Sequence, residues 1–263
     1  MSRVSNFCRT HVLIQIMPQY NLNKLSTRAP KDFEKETTKS ETEKIVDELN
    51  ELQNLLYAEG KHSILVVLQG LDASGKDGVV RKIFGRMNPQ GVDVVSFKVP
   101  TEEEASHDFL WRIHKNTPPK GRIMIFNRSQ YEDILVTRVH GWCDDKLAEK
   151  RMECINDFEK LLIEHNNTHI LKFYLHVSAE EQQERLNERT TDPTKMWKYN
   201  KRDFTEAKLR DKYYAMYEDC FKNCNKPEWI IVPADQNWYK EHLIAKALRD
   251  SLVSLNMQYP VLP

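Results

Sequence analysis

Residues 70–76, Gly70-Leu-Asp-Ala-Ser-Gly-Lys76, carry the spacing of a phosphate-binding loop. An apolar, β-branched run, Ile64-Leu-Val-Val-Leu-Gln69, precedes them and a helical pattern follows at once. Gly70 and Gly75 let the backbone curl so that its N–H groups face an anion. The start of the following helix adds its positive dipole end, and Lys76 reaches the outer phosphates. The expected phosphate-binding set is Gly70, Ala73, Ser74, Gly75, Lys76, Asp77 and Gly78, with Arg81 one turn on. The position after Lys76, normally a hydroxyl that binds magnesium, is Asp77. A further acid, Asp72, lies inside the loop, where it repels bound phosphate unless a divalent cation stands between them. Asp72 is therefore expected on the metal side. Asp77 has two readings, a metal-side acid or a first-turn helix acid.

A second constellation follows the short apolar run at 123–126, in Asn127-Arg128-Ser129-Gln130-Tyr131-Glu132-Asp133. A phosphate-loop enzyme usually ends this strand in an acid that holds magnesium through water; here Asn127 offers a neutral oxygen. Arg128 is a planar fork suited to phosphate. Glu132 and Asp133 either face the nucleotide acceptor, Glu132 accepting from an adenine amine, or are first-turn acids of a helix capped by Ser129. A third stretch, residues 185–202, holds Arg185, Arg189, Lys195, Lys198, Lys201 and Arg202 against only Glu188 and Asp192. Arg185 and Arg189, four apart on a helix, are expected to form a two-pronged anion clamp within a basic lid spanning about 185–210. Asn225-Lys226-Pro227-Glu228 resembles a guanine-reading motif only superficially, because it precedes a strand and ends in Glu.

The elements that position these groups alternate. Strands are expected at 64–69, 92–99, 123–126, 169–177 and 229–232. Helices are expected at 40–57, from a capping box Ser40-Glu-Thr-Glu43, and at 76–87, 102–115, 131–138, 145–165, 179–189, 203–222 and 238–255. This order gives an α/β fold, a mainly parallel five-stranded sheet with helices on both faces and ligands at the carboxyl ends of the strands. Residues 1–39 read as an irregular arm before a domain at 40–263. Lysine plus arginine balances aspartate plus glutamate at 39 each, so no basic field for nucleic acid exists. The five cysteines are scattered, which suits reduced thiols in a cytoplasmic protein. No apolar run approaches the ~18 residues of a membrane span, and residues 12–17 are too short for a secretory segment.

Gly70–Gly78, Phe126–Asp133 with Arg138-Val-His140, Asp192-Pro-Thr-Lys-Met-Trp-Lys198, Val232-Pro-Ala-Asp-Gln-Asn-Trp-Tyr239 and Ser26-Thr-Arg-Ala-Pro-Lys31 closely resemble the family-2 polyphosphate kinases. The resemblance begins near residue 20. It implies a thymidylate-kinase-like P-loop kinase fold and phosphoryl transfer between inorganic polyphosphate and adenine nucleotides, AMP and ADP both being accepted. It also implies magnesium, or manganese in its place, and a homo-oligomer. It places Asp72, Lys76, Arg128, Arg185 and Arg189 at the site, with Asp72, Lys76 and Arg128 as the catalytic trio, Lys198 on the phosphate side, and Asp72 with Asn127 toward the metal. Other subgroups usually have Asp where Asn127 stands. An ATP-dependent nucleotide kinase and a nucleotide-sensing regulator are the alternatives; ATP formation from ADP and polyphosphate alone separates them.

Overall fold

The structure is a computed structural model in which residues 20–261 are described. The first part of the expected arm, residues 1–19, including the apolar stretch 12–17, lies outside the described residues. Strand β1 (Ser63–Gln69) is buried at every position, as a continuous apolar run must be when both sheet faces are covered. It sits at the centre of a five-stranded parallel sheet of order β2-β3-β1-β4-β5, with β2 at Val92–Ser96, β3 at Ile123–Asn127, β4 at Thr168–His176 and β5 at Trp229–Pro233. The chain moves to one side of β1 for β2 and β3 and to the other for β4 and β5. The crevice where order reverses lies at the carboxyl end of β1. There Leu68 is in register with Asn127 on one side and Phe173 on the other.

The long helix α1 (Lys35–Glu59) starts earlier than the Ser40 capping box predicts. Thr38 and Thr42 are buried, and Thr42 Oγ1 lies 3.1 Å from Nδ1 of His242 on α10 (Asn237–Ser254). Burial against α10 thus extends the helix past a local capping signal. The helix after the phosphate loop is shorter than the predicted 76–87. An α-turn α2 (Lys76–Val79) passes into a wider π-turn (Val80–Phe84). The predicted helix 102–115 is two pieces, α3 (Glu102–Ser106) and α4 (Trp111–His114). A genuine capping box at Thr101 and Glu104 starts α3, and Asp108 Oδ1 accepts from Leu110 N to start the next turn. Strand β2 stops at Ser96 instead of Val99: Phe97 leaves the strand, its N–H donating to Asn127 O and its ring meeting Phe126 edge-on.

The remaining helices match their predicted places within a few residues: α5 (Glu132–Val139), α6 (Asp145–Asn166), α7 (Ala179–Thr191) and α9 (Arg210–Asn223), with a short α8 (Lys201–Glu206) splitting off the start of the predicted 203–222 helix. No helix among the described residues is long and apolar enough to cross a membrane.

Candidate active site

The phosphate loop connects β1 to α2 through two glycines in positive-φ backbone, Gly70 (φ 149°) and Gly75 (φ 97°), and Ala73 at φ 62°. A Cβ on Gly75 would stand 2.2 Å from Nζ of Lys240, so only glycine fits there. Lys76 begins α2 and folds its ammonium over the loop. Its Nζ donates to Gly70 O at 2.8 Å and Leu71 O at 3.2 Å. Burial, then the neighbouring Arg128, lower the pKa of Lys76 to about 8, against an opposing pull from Asp72 and Glu132.

Strand β3 delivers Asn127 and Arg128 beside this loop. Arg128 takes a left-handed conformation (φ 65°), its N–H donating to Leu68 O of β1 at 3.1 Å. That turn aims its guanidinium at two carboxylates: it pairs with Asp72 of the loop and with Glu132, one α5 turn on, at 3.0 Å. The charge of Glu132 leads in raising the Arg128 pKa, followed by that of Asp72. Beneath the turn lies a buried polar cluster. Lys172 Nζ contacts Glu159 at 2.8 Å and the Tyr131 hydroxyl at 3.0 Å, and Gln130 and Tyr131 both donate to Glu159. Both ions are fully buried, so neither can lose its partner without a large penalty.

The basic segment folds over the cleft. Lys198 Nζ meets Asp77 Oδ2 at 2.7 Å, and Asn127 Nδ2 donates to the other Asp77 oxygen at 2.9 Å. Burial would raise the Asp77 carboxyl, but these two hydrogen bonds outweigh it and hold it below its ordinary value. Asp77 thereby ties the end of β3, the start of α2 and the lid together. Because Lys198 is a half-exposed tether and not a buried partner, Lys198→Ala is expected to raise the KM of the phosphate donor severalfold while leaving the melting temperature within a degree or two. Steady-state kinetics and thermal melts check this together.

Arg185 and Arg189, expected to clamp an anion, both line the wider cleft beside the loop, and each also has partners within the protein. Arg185 is spent on the fold, donating to Ala73 O at 3.1 Å and to the carbonyls of Ala234 and Asp235 at 2.8 and 2.9 Å. It braces the loop from behind. Arg189 meets Asp203 of α8 at 2.5 Å. The Asp203 carboxyl is raised by burial and then by the charge of Asp72, which places this pair near the loop. Asp133 takes the second of its two expected places, as a first-turn acid of α5; its carboxylate turns to Arg112 of α4 at 3.5 Å. Glu132 does line a niche with Gly70, Asp72, Glu206, Tyr213 and Tyr217, and one of its oxygens is committed to Arg128.

A second, wider cleft runs past Lys76 and Asp77 along Arg81, Lys82, Arg189 and Lys198. It continues to Lys35 and Lys39 of α1, which the sequence had left in an irregular arm. Arg86 leaves it and pairs with Glu43 and, at 2.5 Å, with Asp47.

Among the described residues, no three acids, histidines or cysteines gather into a ready metal cage. The donors beside the loop are the carboxylates of Asp72 and Asp77 and the side-chain oxygen of Asn127. An all-oxygen set with one or two carboxylates suits magnesium, which takes its other positions from water and phosphate. The most consequential residue missing from the sequence reading is Lys240. It is fully buried, its Nζ donating to Asn237 Oδ1 at 2.7 Å and to Ser74 O at 3.4 Å. Burial, then Arg185, lower its pKa to about 7.

A sequence profile of the family described as Polyphosphate kinase 2 matches residues 32–260. The chain is 46% identical over 214 residues to the AMP/ADP-polyphosphate phosphotransferase of Meiothermus ruber, covering 81% of this chain and 80% of that protein. It is 38% identical over 229 residues to the ADP-polyphosphate phosphotransferase of Rhodopseudomonas palustris, covering 82% and 79%. Among solved structures it is similar to polyphosphate kinase 2 from Arthrobacter aurescens TC1, with a TM-score of 0.88 and 38% identity over 94% of this chain and 90% of that one.

Proposed function

The chain belongs to the polyphosphate kinase 2 family, and from that premise we propose how its cleft moves phosphoryl groups between inorganic polyphosphate and AMP or ADP. The observation that carries the assignment of parts is the single cleft that joins the phosphate loop to a line of cations, Lys76, Arg81, Lys82, Arg189 and Lys198. Such a line follows a repeating polyanion better than a compact nucleotide.

The terminal phosphates of the donor sit in the loop N–H groups. Lys76 now holds two neutral carbonyls; a phosphate oxygen adds the Coulomb attraction of opposite charges to the hydrogen bond, so an anion draws its ammonium off Gly70 and Leu71. Arg128, held between Asp72 and Glu132, offers its fork to the oxygens of the transferred group. The acceptor lies in the niche beside Glu132, Glu206 and Tyr213. Its phosphate, with a second pKa of about 6 as in phosphate monoesters, is already an anion at neutral pH and needs no general base. Catalysis is then positioning and charge neutralisation. Magnesium held on the side of Asp72, Asp77 and Asn127, when bound, neutralises charge between the phosphates. Closure by Lys198 on Asp77 keeps water from the phosphoryl group.

The test is a donor–acceptor matrix with purified, nucleotide-free protein. ATP is expected from ADP, and ADP from AMP, with polyphosphate and magnesium as the only other components. Phosphorylation that proceeds only when a nucleoside triphosphate is the donor would reject this reading in favour of an ordinary nucleotide kinase.

A further inference from the structure

We infer that Lys240 is a positioning residue of the phosphate loop, a buried cation that fixes the peptide between Ser74 and Gly75 so that its N–H faces bound phosphate. The inference deepens the functional reading above and rests on it. Lys240 comes from the first turn of α10, far along the chain from the loop, yet its Nζ reaches Ser74 O at 3.4 Å. It occupies the space where a side chain on Gly75 would stand, 2.2 Å from the Cβ position. Arg185 Nη1 lies 3.6 Å from the same position and donates to Ala73 O at 3.1 Å. Two successive loop carbonyls therefore turn backward onto two cations.

A trans peptide is planar, and its C=O and N–H point in opposite directions. Drawing Ser74 O back onto Lys240 sends the Gly75 N–H to the open side of the loop. That N–H has no acceptor among the described residues, so it is free for an anion. The Ser74 N–H, in contrast, is already given to Leu71 O at 3.2 Å, which leaves the Gly75 donor as the one the Lys240 contact controls. Asn237, on the same helix turn, steers Lys240 by accepting from Nζ at 2.7 Å. The other charged groups facing it are Arg185 and Glu181 from α7, Glu241 from α10 and Lys76 from α2. Among the described residues, no acid pairs with Lys240 directly. A buried lysine without a carboxylate partner is costly to the fold, so its presence calls for another reason.

The experiment is Lys240→Met, which keeps length and removes charge and donor, measured beside wild type and Asn237→Ala. Removing a preorganised donor to a developing charge typically costs ~10²–10³ in kcat; misaiming one should cost roughly ten- to a hundredfold. Lys240→Met is expected to lower kcat by that amount, to leave the KM for ADP within about twofold, and to keep or raise the melting temperature. Asn237→Ala should lower kcat severalfold in the wild-type background and add nothing in the Lys240→Met background.

Wild-type kcat in a folded Lys240→Met protein overturns the inference, as does a fall explained wholly by lost folded protein. If Lys240→Met does not yield folded enzyme, Asn237→Ala decides: a severalfold lower kcat with unchanged ADP KM supports the positioning role, and an unchanged kcat rejects it. Inactive wild type on polyphosphate would instead remove the functional reading, so the two failures are distinct.

Discussion

Lys76→Ala is expected to abolish measurable turnover in a protein that keeps its fold. Lys76 folds its ammonium over the phosphate loop, held there by Gly70 O and Leu71 O. Its neighbour Arg128 is committed to Asp72 and Glu132 and cannot move in to replace it. Loss of a preorganised charge at a transferring phosphoryl group costs on the order of 10²–10³ or more in kcat. The fold should tolerate the change, because burial lowers Lys76 to about 8 and its charge is held at a cost. Circular dichroism and melting should match wild type while the polyphosphate-dependent rate falls. Near-normal turnover would remove the loop from the mechanism.

Arg128→Gly should be nearly as damaging, for a different reason. Glycine tolerates the positive φ of this position without strain, so the variant isolates the guanidinium. Its removal leaves Asp72 and Glu132 facing the donor phosphates as unpaired carboxylates. The variant thus loses two cationic contacts and gains repulsion. A fall of about 10² or more in kcat/KM for both donor and acceptor is expected, by the measure of charge-assisted contacts at roughly 1.5–3 kcal/mol each. Arg128→Lys should recover little, since a point charge cannot bridge two carboxylates and phosphate at once. The measurement is steady-state kinetics with each substrate varied. Full recovery by lysine would show that only net charge matters at this position.

The parts that were legible in the sequence are those with a local signature. The loop from Gly70 to Lys76 declares itself through spacing and through the strand and helix on either side. The five strands appear in order because each is a short stretch between turns, either continuously apolar, as at 64–69 and 123–126, or alternating, as at 169–177. Local signals failed where distant packing decides. The Ser40 capping box is overridden because Thr38 is buried and Thr42 meets His242 of α10, 200 residues away in the chain. The box that does form, at Thr101, sits at the expected start of the 102–115 stretch, which read as one helix but breaks after Ser106.

At the site the same division holds. Arg128 and Asp72 could be named from their places beside the loop, but not their pairing, which depends on a left-handed turn at the end of β3. The helical spacing of Arg185 and Arg189 suggested a clamp. Spacing sets which face a residue shares, and both arginines do line the cleft, but it does not say which protein acceptors each also finds, as the carbonyls of Ala73, Ala234 and Asp235 do for Arg185. Asp133 was grouped with Glu132 by sequence proximity, yet neighbours on a helix diverge, and only Glu132 reaches Arg128. Lys240 gave no signal at all. Its start-of-helix context, Asn237-Trp-Tyr-Lys240, reads as an ordinary first turn until β5 carries it against the loop.

The central claim is that this loop transfers phosphoryl groups from polyphosphate directly to a nucleotide. It is tested most directly with terminally 32P-labelled polyphosphate and unlabelled ADP in a single turnover, magnesium present and no other phosphate donor. The account predicts label in the γ-phosphate of ATP for the wild-type protein and none for Lys76→Ala. Label appearing only as orthophosphate, or ATP formed equally by both proteins, would contradict it.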